Sequence, residues 1–215
     1  MNPDDYEDAF DKSRREREYI ERTIRSLEQS IAFFGSDNKP ERERWIVDDF
    51  LTNLGAAPRP EEVISSTDEP PDVLYRDARF EVQEVMDDGR LRHAELKSEL
   101  ARARNATSIS DLGGGFEPRD MTYAEVLARI HAAAKEKSDH YGPRTCTSLD
   151  LLLYVNMQKV FEFIPTPLPD SAMWMPYCFR TVSVTMGRLA GVLYFNKAAP
   201  AFLRTGGIRV QSRPT

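Results

Sequence analysis

Asp72 follows two prolines and opens the apolar segment Val73–Tyr75, while Glu81 and Gln83 stand two residues apart in the alternating run Phe80–Met86 (FEVQEVM). In extended chain, residues two apart project from one face, so Glu81 and Gln83 share a side and Phe80, Val82 and Met86 point the other way, toward a core. A polar turn at Arg76–Ala78 joins the two runs as a hairpin and gathers the polar groups at one strand pair. Two carboxylates about 4 Å apart repel by roughly 4 kcal/mol at an effective dielectric of about 20. A divalent cation removes that penalty. Oxygen-only ligation selects Mg²⁺ or Mn²⁺, with water and a substrate phosphate filling the remaining positions.

Other chemical groupings are weaker. Cys146 and Cys178 are too few for a disulfide framework and lack CxxC spacing. Cys146 has no histidine that the sequence places beside it, and no GxSxG elbow exists. His131 and His140 lie nine apart with no nearby ligand pair and read as ordinary helix and loop residues. The glycines Gly113–Gly115 lack the Lys-Ser/Thr ending of a phosphate loop and read as a flexible connection. Trp45, Trp174, Tyr177 and Phe179 suit packing better than stacking on bases.

The elements that must position the acidic pair can be read from periodicity. Ile20, Ile24, Leu27, Ile31 and Phe34 alternate steps of four and three, which predicts one long helix from about Asp11 to Phe34. Its seam packs on the body of the protein or on a second copy, giving a homodimer in the second case. A turn at Gly35–Pro40 precedes a second helix over Glu41–Leu54, stopped by Gly55, with Trp45, Ile46, Phe50, Leu51 and Leu54 as its buried face. Ala56–Pro71 is mostly loop, and Glu62–Ser65 can form a short strand. Arg90–Arg104 has Leu96, Leu100 and Ala103 at helical spacing and reads as a basic helix. Thr122 and Glu125 make a capping box for a helix to about Lys137, whose charge there suits the dipole without a functional role. Leu149–Asn156 suits a central strand buried on both faces. Val160–Ile164, Phe179–Met186 and Leu189–Phe195 supply further strands, the last two as a hairpin, and Pro165–Pro169 is a stiff connector.

Composition limits the function classes. The chain has 215 residues, 40% hydrophobic and 30% charged, enough for a sizeable core. No apolar run approaches the ~18 residues of a membrane span, and Met1–Phe10 lacks the features of a signal peptide, so a cytoplasmic protein with reduced thiols and no membrane partner is expected. The net charge of −6 argues against coating nucleic acid by bulk attraction. That average hides a split: Arg180, Arg188, Lys197, Arg204, Arg209 and Arg213 give the last segment +6 and leave the rest at −12. These six suit either a local anion-facing surface or ordinary solvated side chains.

The pattern Pro71-Asp72, eight residues, then Glu81-Val82-Gln83 resembles the PD-(D/E)XK nuclease superfamily. The order helix, three strands, helix, strand over roughly Glu41–Asn156 follows the same likeness. More narrowly, PPDVLYRDARFEVQEV followed by GRLRHAELKSELARAR is similar to a small bacterial family of uncharacterised chains read as endonucleases. The resemblance implies an α/β fold with a restriction-endonuclease-like core, a long N-terminal helix and extra C-terminal antiparallel strands. The expected organisation is a flexible acidic N-terminus over 1–12 and a single domain over 13–215, with the first helix at 13–35, the core at 41–156 and C-terminal strands at 157–215.

Carried over by position, Asp72 and Glu81 hold the Mg²⁺ or Mn²⁺ ion with the backbone carbonyl of Val82, and Gln83 holds the attacking water. Gln83 stands where the superfamily usually has lysine; an amide can orient water but brings no charge. The resemblance also implies a glutamate from the first core helix. Glu43 is the candidate, because it precedes Ile46, Val47 and Phe50 by helical steps, and Glu41 is the alternative. Glu84 falls on the opposite face from Glu81 and could pair with a basic residue. Arg92, His93, Lys97 and Arg102 of the basic helix are candidate phosphate contacts. The implied activity is metal-dependent hydrolysis of DNA, with RNA left open. The alternative is a catalytically inactive nuclease-like protein that binds nucleic acid or a protein partner.

Overall fold

The computed structural model describes residues 3–113, 119–158, 160–168 and 170–214. Gly114 and Gly115 of the glycine triplet, and Pro169 of the proline-rich connector, lie outside them. The helices are α1 (Pro3–Phe33), α2 (Lys39–Asn53), α3 (Arg92–Asn105), α4 (Tyr123–Cys146) and α5 (Ala201–Arg204). The strands are β1 (Ile64–Ser65), β2 (Val73–Tyr75), β3 (Ala78–Met86), β4 (Arg119–Thr122), β5 (Asp150–Asn156), β6 (Val160–Ile164), β7 (Thr181–Met186), β8 (Leu189–Phe195) and β9 (Arg209–Ser212). The fold is mixed α/β. The stretch expected as one domain over 13–215 is built as two compact units: Met1–Lys39 with Gly89–Phe116, and Pro40–Asp88 with Glu117–Thr215.

The first unit is helical. α1 starts at Pro3, earlier than the apolar seam requires and inside the stretch expected as a flexible N-terminus, and proline suits a first helical position because its missing N–H has no partner there anyway. α1 packs along α3. On the seam Ile20 is buried, while Ile24, Leu27, Ile31 and Phe34 are half-buried. Glu28 and Arg104 pair at 2.7 Å between exposed side chains, a contact typically worth under about 1 kcal/mol. Arg92 is buried and lays its guanidinium 4.1 Å from the centre of the Phe34 ring. This candidate phosphate contact therefore packs inside the helical unit, whereas His93, Lys97 and Arg102 of α3 are exposed.

The second unit is built on a seven-stranded sheet of order β1-β2-β3-β5-β7-β8-β9. β1, β2 and β3 run antiparallel, β3, β5 and β7 run parallel, and β7, β8 and β9 return antiparallel. β4 and β6 form a separate parallel pair. Every residue of β5 except Tyr154 and Asn156 is buried, as its continuous apolar run requires when both faces are covered. One core layer joins Ile46, Val47, Phe50 and Leu51 of α2 to Phe80, Val82 and Leu152. The other joins Val126, Leu127, Ile130 and Ala134 of α4 to Leu151, Leu153 and Val184. α2 ends before Gly55, whose φ of +80° lets the chain leave the helix. Trp45, expected on the buried face, is 43% exposed and meets Tyr154 edge-on, because the helix turns the Ile46–Phe50 stripe inward instead.

Candidate functional site

Asp72 is fixed by its backbone before its side chain acts. Its N–H donates to the Phe80 carbonyl at 3.0 Å and its own carbonyl accepts from Ser66 at 2.8 Å. The side chain, 7% exposed, then accepts the Val82 N–H on Oδ2 at 2.8 Å. Val82, whose carbonyl was the expected ligand, meets Asp72 through its amide instead, while its side chain enters the core layer under α2.

Glu81 stands opposite Leu151 in the β3–β5 register, and Gln83 opposite Leu153, so the two share the sheet face that α4 covers. Glu81 is 1% exposed. Its Oε1 accepts from Lys137 Nζ at 2.5 Å and from the Tyr141 hydroxyl at 2.9 Å. Its Oε2 is buried with no hydrogen-bond partner. Burial, and then the charge of Asp72, push the Glu81 carboxyl above the usual carboxylate range, against the pull of Lys137 and Tyr141. Burial and the Glu81 charge push the Tyr141 phenol far above its ordinary value, so it remains a donor at neutral pH.

Lys137 and Tyr141 reach Glu81 because α4 continues past the point at which its apolar periodicity fades. The Thr122 hydroxyl accepts from the Glu125 N–H while the Glu125 carboxylate accepts from the Thr122 N–H, as the capping box predicts. The helix then runs through Lys137 to Tyr141, and Gly142 (φ 73°, ψ 163°) with Pro143 kinks it. Lys137 is therefore an interior residue, not a helix end, and its charge meets a buried carboxylate rather than the dipole. The signal lay in the stripe Ile130, Ala134, Lys137, Tyr141, whose steps of four, three and four put a lysine on the buried face. His140, expected in a loop, is also on α4, with its ring 4.8 Å from that of Tyr141.

The remaining candidates fall as follows. Gln83 is half-buried and donates Nε2 to the Glu84 carbonyl at 3.1 Å. Glu84 accepts from Asn156 of β5 at 2.9 Å. Glu43 is buried on α2 beside the Ile46–Phe50 stripe, and Glu41 is exposed. Among the described residues no three His, Cys, Asp or Glu side chains are arranged to hold a metal ion, so Glu43 does not complete a three-carboxylate group with Asp72 and Glu81.

Three of the six basic side chains of the C-terminal segment are engaged in structure. Arg180 binds Asp150 and the Asp77 carbonyl. Arg204 donates to the Ala199 carbonyl, and Arg209 donates to the Thr205 and Gly207 carbonyls. Arg188 and Lys197 remain exposed. His131 lies 2.7 Å from the Tyr177 hydroxyl through Nε2, and Trp174 and Phe179 are buried packing residues as expected. No described helix is long and apolar enough to cross a membrane.

No curated protein matches the chain. Among solved structures, PA4535 from Pseudomonas aeruginosa strain PAO1, described as a protein of unknown function of the monooxygenase superfamily, is 28% identical with a TM-score of 0.63. That likeness covers 91% of this chain and 94% of that one. A family model described as "Putative endonuclease, protein of unknown function (DUF1780)" matches residues 15–213, and on that match the chain belongs to the DUF1780 family.

Proposed function

We propose that the protein is a metal-dependent endonuclease of the PD-(D/E)XK kind that hydrolyses DNA phosphodiester bonds, with Asp72 and Glu81 as its cation-holding pair. The observation that carries this reading is Glu81 Oε2, a buried carboxylate oxygen with no hydrogen-bond partner under the charge of a second carboxylate. An unsatisfied buried acceptor costs about 1–3 kcal/mol, and more when charged. A hard dication bound there would relieve both the desolvation and the repulsion. The two side chains suit Mg²⁺ or Mn²⁺ in their chemistry, because both offer hard oxygen donors.

The sequence of α2, the β1–β3 meander, α4 and β5, with β3 parallel to β5, supports a restriction-endonuclease-like core. The description of the family supports the nuclease activity in this reading. The all-oxygen pair suits a hard dication and lacks the two histidines that join a carboxylate in facial-triad iron oxygenases.

When bound, the ion would polarise the phosphate and lower the pKa of the attacking water. The chain's own groups do the rest. The Val82 amide fixes Asp72, and Tyr141 holds Glu81 Oε1, leaving Oε2 for the ion. Gln83 orients water once its amide exchanges the Glu84 carbonyl for it. His93, Lys97 and Arg102 are exposed on the helical unit and stay candidate phosphate contacts in their own right.

The test is incubation of plasmid, linear duplex, single-stranded DNA and RNA with the full chain in Mg²⁺, Mn²⁺ or EDTA. Metal-dependent cleavage is expected, absent in Asp72→Ala and Glu81→Ala while circular dichroism shows both folded. Cleavage by both variants, or none by the native chain, overturns the proposal. The second reading, a binding protein without activity, is favoured by the uncharged Gln83. New cleavage by Gln83→Lys in an inactive parent supports it.

A further inference from the structure

We propose that Lys137 of α4 supplies the positive charge that stabilises the reacting phosphate, with Tyr141 as its positioning residue, an inference that rests on the nuclease reading above. Phosphodiester hydrolysis gathers negative charge on the non-bridging oxygens, and a fixed cation at that place is worth most where water is excluded. Gln83 shares the face of Glu81 but carries no charge and turns its amide to the Glu84 carbonyl.

Lys137 has what that role needs. Its ammonium is 2.5 Å from Glu81 Oε1, so it stands at the carboxylate that would hold the ion. Its side chain is 20% exposed against 1% for Glu81, so it reaches the solvent side of the pair. The Tyr141 ring lies 5.4 Å from the ammonium and its hydroxyl shares Oε1, which holds the lysine beside the carboxylate. Oε2 is buried and accepts no hydrogen bond, so the ammonium on Oε1 and a cation need not compete for one oxygen.

In the reaction the water oxygen bonds to phosphorus as the bond from phosphorus to the leaving sugar oxygen breaks. The water gives a proton to solvent and the leaving oxygen takes one from solvent. Lys137 keeps its proton throughout and acts by charge and hydrogen bonding to the phosphoryl oxygens.

The experiment compares the full native chain with Lys137→Met, Lys137→Arg and the double variant Lys137→Met/Gln83→Lys. It measures kcat and KM for cleavage, and Mn²⁺ affinity by electron paramagnetic resonance at pH 8. Lys137→Met is expected to lower kcat by about 100-fold or more with KM little changed, the loss typical of one transition-state donor. Lys137→Arg retains part of the rate, and the lysine at position 83 in the double variant restores part of it. Mn²⁺ binds Lys137→Met more tightly, because a neighbouring positive charge has gone. A native kcat in Lys137→Met, with the native chain active, overturns this inference and leaves the nuclease reading standing. A loss of kcat accompanied by weaker Mn²⁺ binding and no rescue also overturns it, showing that Lys137 merely props the carboxylate. A native chain inactive on every substrate overturns both.

Discussion

The carboxylate of Asp72 accepts the amide of Val82 at 2.8 Å, one residue beyond Glu81, so the two acids are tied to neighbouring peptide units of one strand. That hydrogen bond holds the charge of Asp72 close to Glu81, and it makes the pair sensitive to pH.

Glu81 should make folding stability fall as pH rises. Its carboxyl sits above the ordinary 4.5, mainly through burial, so the native state binds its proton more tightly than the unfolded chain does. The stability from this group is present below about pH 4.5 and lost as pH rises through the raised value. Glu81→Gln removes that dependence. Urea titrations of both proteins between pH 4 and 8 should show the variant gaining relative to the native chain as pH increases. A constant difference would refute the linkage.

Tyr141→Phe should shift the acid limb of any pH–rate profile upward. The hydroxyl donates to Glu81 Oε1, favouring the charged carboxylate. Without it the carboxyl rises further, and stability drops by about 1.5–3 kcal/mol, the range for one hydrogen bond to a charged acceptor. An acid limb that stays in place or moves down contradicts this.

How far the site could be read in advance follows from where its determinants lie. Asp72, Glu81 and Gln83 were legible because they sit in or beside strands, where alternation assigns a face and the Arg76–Ala78 turn assigns a partner. β8 matches its expected bounds, and β2, β3, β5 and β7 match within two residues, since their apolar alternation or continuity is strong. Lys137 was not legible as a partner of Glu81, because nothing local says which strand a helix covers. β4 and β9 escaped for a different reason: RDMT and RVQS are polar, and their pairing is set by β6 and β8 rather than by their own pattern.

Asp150→Asn should unfold the sheet unit readily without involving the acidic pair. Asp150 is fully buried and accepts from the Arg79 amide at 2.9 Å, the Thr181 hydroxyl at 3.2 Å and the Arg180 guanidinium. It therefore ties the first residues of β5 and β7 to β3. Removing its charge leaves Arg180 mostly buried and uncompensated, at a cost of about 3–5 kcal/mol. A fall of the urea midpoint should show this, and Asp150→Asn with Arg180→Met should recover part of it. An unchanged midpoint in the single variant would count against the assignment.

Gly191→Ala should loosen β9. A Cβ there would meet the Arg209 carbonyl oxygen at 2.5 Å and Val210 Cγ2 at 2.7 Å, and the carbonyl belongs to backbone paired with β8. Overpacking of this kind costs about 1–3 kcal/mol. Hydrogen exchange should speed up at Arg209–Ser212 and leave β5 protected; equal protection in both proteins would argue against it.

The helical unit is woven from two stretches of chain, with α2 and the β1–β3 meander encoded between them. On a ribosome α1 emerges before α3 and waits, its Ile24, Leu27 and Ile31 stripe uncovered, until α3 has been made. Neither helix can be cloned away as a tail, because a cut that removes one strands the other. A nascent chain halted after β3 should therefore recruit holdase chaperones at α1, and release them once Arg92–Asn105 has left the exit tunnel.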